Sequence, residues 1–100
     1  MPDPTLRLST HVLDTARGTP AAGIAVALYR DDQLVASGTT DDDGRIASLG
    51  DSLEPGLYRI VFDCPGRFFE RVALDLRLEP GHTHVPLLLA PFGATTYRGS

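Results

Sequence analysis

The stretch Leu57-Tyr58-Arg59-Ile60-Val61-Phe62-Asp63, broken at Pro65-Gly66 and resumed from Phe68 to Leu78, decides the fold. In its first half Leu57, Arg59 and Val61 alternate with Tyr58, Ile60 and Phe62. In its second half Val72, Leu74, Leu76 and Leu78 occupy every other position. Successive side chains of a strand point to opposite faces, so a period of two places one apolar row on a core. Arg67 to Asp75 is the best helical window in the chain, and it reads better as strand.

The same pattern recurs on either side. Leu6, Leu8, Thr10 and Val12 alternate with Arg7, Ser9, His11 and Leu13. Ala16-Arg17-Gly18-Thr19-Pro20 is a turn, and Ile24 to Tyr29 is rich in strand formers. Asp31-Asp32 opens a tight hairpin into Gln33 to Thr40. Asp41-Asp42-Asp43-Gly44 is a further turn, because Asp and Gly tolerate its backbone angles, and Arg45 to Leu49 follows as a short strand. Pro80-Gly81 turns into the apolar run Thr83 to Leu89. Pro91 to Gly93 turns again, and Ala94 to Gly99 closes the chain. Seven or eight short strands at regular spacing predict an all-β sandwich, as one domain over residues 1–100. A chain of this length buries roughly two-thirds of its unfolded surface, enough for a thin core.

Composition excludes several classes of function. The net charge of −4 argues against nucleic acid, which requires a basic face. No apolar run is long enough to cross a membrane. No secretion signal opens the chain, and the single Cys64 has no internal disulfide partner. Both point to a reducing, cytoplasmic setting.

A few side chains carry chemistry. His11 lies on the Arg7-Ser9-His11 face of the first strand, where a solvated strand histidine is the plain alternative to a base. His82 and His84 share a face, and two histidines at that spacing suit a metal, although no third ligand stands nearby. Arg45 follows the aspartate turn. It is either a surface charge balancing those carboxylates or a planar fork for an anionic or amide-rich ligand. The aspartates themselves lack the spacing of a calcium loop. Cys64 has only Arg67 to favour its thiolate, which makes a weak nucleophile. The terminal Tyr97-Arg98-Gly99-Ser100 follows strand formers, where chain ends usually fray. A tail docked in a sheet would present a guanidinium and a hydroxyl at a fixed place; otherwise Arg98 is an edge charge that discourages aggregation.

Three motifs in order give these residues a common meaning. Leu8-Ser9-Thr10-His11-Val12-Leu13-Asp14 resembles the opening motif of the 5-hydroxyisourate hydrolases, the transthyretin-related enzymes of urate breakdown. His82-Thr83-His84-Val85-Pro86-Leu87-Leu88-Leu89 resembles their late histidine strand, and Tyr97-Arg98-Gly99-Ser100 their terminal signature. Between them, Pro20 to Asp63 looks like a generic transthyretin-like sandwich. The resemblance implies a transthyretin-like fold and hydrolysis of a ring amide of 5-hydroxyisourate to 2-oxo-4-hydroxy-4-carboxy-5-ureidoimidazoline. It implies His11, Arg45, His84 and Ser100 as catalytic residues and Tyr97 and Arg98 as substrate-binding ones, with no metal or organic cofactor. It also implies a homotetramer with sites at the dimer–dimer interface. The chain departs from the family pattern in three places. The short helix expected after Asp63 is missing, Thr83 stands where tyrosine is usual, and Phe92 to Thr96 holds less tyrosine and serine. A ligand carrier without catalysis and a structural sandwich module are the rival functions.

Overall fold

The computed structural model describes residues 6–50 and 52–99. Its strands are β1 (Leu6–Asp14), β2 (Thr19–Pro20), β3 (Ala25–Arg30), β4 (Gln33–Thr39), β5 (Arg45–Ile46), β6 (Gly56–Asp63), β7 (Arg71–Leu78), β8 (Gly81–Ala90) and β9 (Gly93–Thr96). One sheet runs β2-β1-β8-β9, with β5 also paired to β1; the other runs β4-β3-β6-β7. The two sheets form the expected transthyretin-like sandwich. β2 and β5 hold two residues each, which leaves seven longer strands. No helix occurs among the described residues.

Alternation places the core. Leu6, Leu8 and Val12 of β1 face inward with Leu87 and Leu89 of β8. They meet Val26 and Leu28 of β3 and Tyr58, Ile60 and Phe62 of β6. Thr10 is buried among them and spends its hydroxyl proton on the Val85 carbonyl, at 2.6 Å. The β3–β4 hairpin turns through Asp31 and Asp32 with φ of 50° and 66°. Two successive left-handed residues suit the strand twist at a two-residue turn.

Several boundaries differ from the sequence expectation: Thr19–Pro20, read as turn, pairs with the end of β1 as β2, the strand expected from Arg45 to Leu49 ends at Ile46, and two others have a clear physical cause. Phe68 and Phe69 are strand formers, yet β7 starts only at Arg71. A turn over residues 64–70 claims them, closed by Cys64 N–H donating to the Glu70 carbonyl at 2.7 Å. Arg67 ties this turn to the end of β1, donating to Asp14 Oδ2 at 3.0 Å. At the other boundary β9 stops at Thr96 rather than Gly99. Continuing its register on β8 would set Tyr97 opposite Pro86, which has no N–H to give. Thr96 Oγ1 donates to the Pro86 carbonyl instead, at 2.9 Å. The chain rejoins β8 at Gly99, whose N–H donates to the His84 carbonyl at 2.7 Å. The tail is therefore docked through residue 99.

Candidate active site

The parallel pairing of β1 with β8 builds the site. Its register sets Ser9 opposite His84 and Arg7 opposite His82. On the other side of β1, His11 pairs with Arg45 of β5. Leu8, Thr10 and Val12 point to the core, so Ser9 and His11 lie on the outer face, as do His82 and His84 on β8. Three strands thus bring His11, Arg45 and His84 onto one outer sheet face, with Gly99 of the tail against it.

The aspartate turn acts as a scaffold, as expected of a turn. Asp41 Oδ1 accepts from the backbone N–H groups of Asp43 and Arg45, each at 2.9 Å. His11 Nε2 donates to the Asp43 carbonyl at 2.9 Å. A carbonyl only accepts, so this bond places a proton on Nε2 and leaves Nδ1 of neutral His11 as an acceptor. Arg45 is exposed, and among the described residues no carboxylate lies within ion-pair distance of its guanidinium. Its positive charge acts on His84.

His84 is half-buried. Burial lowers its pKa below the ordinary histidine value, and the charges of His11, His82 and Arg45 lower it further. Its Nδ1 lies 2.7 Å from Ser9 Oγ. The second histidine, His82, is exposed as expected, yet its Nε2 also lies 2.7 Å from Ser9 Oγ. Sequence reasoning missed Ser9. Its one signal was a place on the His11 face of β1, two residues away.

The tail closes on His84. A Cβ on Gly99 would stand 2.8 Å from His84 Cδ2 and 3.2 Å from the His84 carbonyl. Tyr97 and Arg98 line a groove of ≈ 470 Å³ with Leu74, Leu76, Thr83 and Val85. Ser100 lies outside the described residues. A larger concavity of ≈ 980 Å³ covers the outer face of the other sheet, around Tyr29, Arg59 and Asp75, and no histidine lines it. On the histidine face His11 and His84 are half-buried, and Arg45 and His82 are exposed. Cys64 is buried away from that face, and burial pushes its thiol pKa up, which removes it as a nucleophile. Among the described residues no three His, Cys, Asp or Glu side chains gather to hold a metal.

Comparison with known proteins identifies the family to which this sandwich belongs. The model of the HIUase/Transthyretin family covers residues 8–99. The 5-hydroxyisourate hydrolase of Pseudomonas aeruginosa is 37% identical, over 99% of this chain and 95% of that protein. That alignment needs 120 positions to place 99% of this chain, so about 21 positions (120 against 99) have no counterpart here. The uric acid degradation bifunctional protein TTL of Arabidopsis thaliana is 42% identical over 93% of this chain, which spans only 37% of that protein. Among solved structures, 5-hydroxyisourate hydrolase of Klebsiella pneumoniae superposes with a TM-score of 0.88 at 37% identity, covering 94% of this chain and 98% of that one. Transthyretin from Sparus aurata superposes at 0.83 with 30% identity, covering 91% and 94%. A family match over nearly the whole length, on a sandwich whose outer face gathers the motif residues, makes this chain a member of the HIUase/transthyretin family.

Proposed function

We propose that this protein, as one domain over residues 1–100, hydrolyses 5-hydroxyisourate in urate degradation. The observation that carries this reading is a histidine of lowered pKa beside a second histidine and an arginine on one face. His84 uses Nε2, the nitrogen that Ser9 does not hold, to take a proton from water, while His11 Nδ1 orients that water. The water oxygen bonds to the ring carbonyl carbon, and Arg45 donors meet the oxyanion that forms. The ring C–N bond then breaks, the nitrogen takes up the proton, and a carboxylate and a ureido group result. Ser100, Arg98 and Tyr97 complete the substrate contacts. No metal or cofactor enters these steps.

With Arg45 and His82 exposed, the histidine face calls for a second wall. A homotetramer with sites at the dimer–dimer interface would supply it, and sedimentation at micromolar concentration tests that assembly. The cytoplasm is the compartment that suits a single unpaired cysteine.

The primary assay generates 5-hydroxyisourate from urate in situ and follows its ultraviolet decay. Acceleration over the spontaneous rate is expected, and binding without acceleration would make the protein a carrier. Activity should fall as pH drops, because the base must be neutral and protonation removes its lone pair. Protonation of His84 itself, whose pKa is lowered by burial and by the charges of His11, His82 and Arg45, falls on the acid side of the usual histidine value of about 6.5. A profile flat down to about pH 5 rejects a histidine base.

Gly99→Ala tests the docked tail. The new methyl group meets the His84 ring and carbonyl, so either the tail lifts or the ring turns. A displacement of about 1 Å costs about a hundredfold in rate. We expect a loss of about that size in kcat/KM with little change in Tm, read by the decay assay and calorimetry.

A further inference from the structure

We propose that Ser9 is a positioning residue that sets the tautomer of His84 and couples it to the charge on His82. The kinetic consequence rests on the hydrolytic role given to His84 above; the tautomer itself does not.

A serine hydroxyl has one proton. Ser9 Oγ lies 2.7 Å from His82 Nε2 and 2.7 Å from His84 Nδ1. Ser9 is only 6% exposed, and among the described residues these nitrogens are the only side-chain acceptors within reach of its oxygen. The oxygen has lone pairs enough to accept from both rings, but its own proton would then lack an acceptor in a buried site, so the favoured arrangement donates to one imidazole and accepts from the other. If it donates to His82 Nε2, His84 Nδ1–H donates to Oγ, and His84 Nε2 keeps its lone pair. If it donates to His84 Nδ1, the His84 proton sits on Nε2, and no base faces the substrate.

Protonation of His82 removes the choice. An imidazolium carries protons on both nitrogens and only donates. His82 Nε2–H then donates to Oγ, Oγ–H turns to His84 Nδ1, and His84 is held in the Nε2–H form. The base is switched off without itself gaining a proton. The second nitrogen of a histidine is set by the bond its first nitrogen makes, and here that bond passes through a shared hydroxyl. The other charged groups around the pair are Arg7, opposite His82, together with His11 and Arg45, whose charges act on His84, and Arg98 next to the docked Gly99. A guanidinium only donates hydrogen bonds, so none of the arginines can stand in for an imidazole that changes from acceptor to donor. His11 is anchored on the Asp43 carbonyl rather than on Ser9.

Two measurements decide this. The first is long-range ¹⁵N–¹H correlation on ¹⁵N-histidine protein, which reads the His84 tautomer without any turnover. We expect an Nδ1–H population of neutral His84 that disappears once His82 carries a proton. A tautomer that ignores the His82 titration overturns the proposal even if the protein is an active hydrolase. The second is kinetic. Ser9→Ala should lower kcat about tenfold with KM little changed, the usual scale for losing a partner that orients a histidine, and Ser9→Thr should recover most of that loss. His82→Gln keeps a hydrogen-bonding partner without a titratable charge. Normalised to its own plateau, its acid limb should move to lower pH. An unmoved limb, or full kcat in Ser9→Ala, sinks the coupling. If the wild-type protein does not accelerate decay at all, the proposed function fails, and the correlation spectrum still judges Ser9.

Discussion

Replacing His84 with alanine should lower kcat/KM by about 10²–10⁴-fold, the range for loss of a positioned general base. Each decade corresponds to about 1.36 kcal/mol of barrier. The effect is large because His84 Nε2 is the lone pair assigned to take the water proton, while the lone pair left on His11 Nδ1 orients that water. His11 points its Nε2 at the Asp43 carbonyl, and His82 is held to Ser9. Arg45 is a guanidinium, with donors and no acceptor lone pair to take a proton. Stability should hardly change, because His84 is half-buried on the outer face while the Leu and Val side chains beneath it form the core. Urate-coupled decay and calorimetry on the same variant separate the two roles. A collapse of Tm with the activity would make His84 a structural residue.

Gly44→Ala should instead destabilise the fold itself. Gly44 has φ of +75°, and a Cβ there would stand 2.4 Å from the Val12 carbonyl, 3.1 Å from Pro20 Cβ and 3.2 Å from the Ala21 nitrogen. The space is already taken. Gly44 accepts from the Val12 N–H at 2.7 Å, and Ala21 N–H donates to the Val12 carbonyl at 2.9 Å. The left-handed conformation alone costs a residue with Cβ roughly 1–2 kcal/mol. Overpacking against backbone adds about 1–3 kcal/mol. Together these come to about 2–5 kcal/mol, a large share of the whole stability of a small domain, about 5–15 kcal/mol. We expect a fall in Tm of well over 10 °C, since about 1 kcal/mol moves a domain of this size by about 4–8 °C. Activity should fall too, because Arg45 and the Asp43 carbonyl that holds His11 flank this glycine. A Tm within about 4 °C of wild type would show that the turn gives way easily.

Much of the fold was legible because burial on one face imposes a period of two. Leu8 and Val12 on β1 and Tyr58, Ile60 and Phe62 on β6 are buried as the alternation requires. Phe68 and Phe69 misled the reading. Their propensity favours strand, but the Cys64–Glu70 backbone bond and the Arg67–Asp14 pair fold them into a turn, and tertiary context overrides a weak local preference. The tail was read as strand to Gly99, and Pro86 on the facing strand breaks the ladder before that point. His11, Arg45 and His84 were legible through their motifs. Ser9 was not, because its partner His84 lies 75 residues away.

By itself the sequence determined an all-β sandwich, the alternating rows of β1 and β6, and the motif residues that mark the family. Those properties are local: alternation, turn chemistry and residue type are written within a few positions of each other. Only the tertiary structure decided that β1 and β8 run side by side in parallel, at the register that sets Ser9 against His84 and Arg7 against His82. Only it placed Arg45 opposite His11 and Gly99 on His84. Strand pairing is a non-local choice, fixed when two distant apolar rows bury each other against the opposite sheet. The outer face inherits its chemistry from that burial, because a slip of one residue would turn Ser9 and His11 into the core.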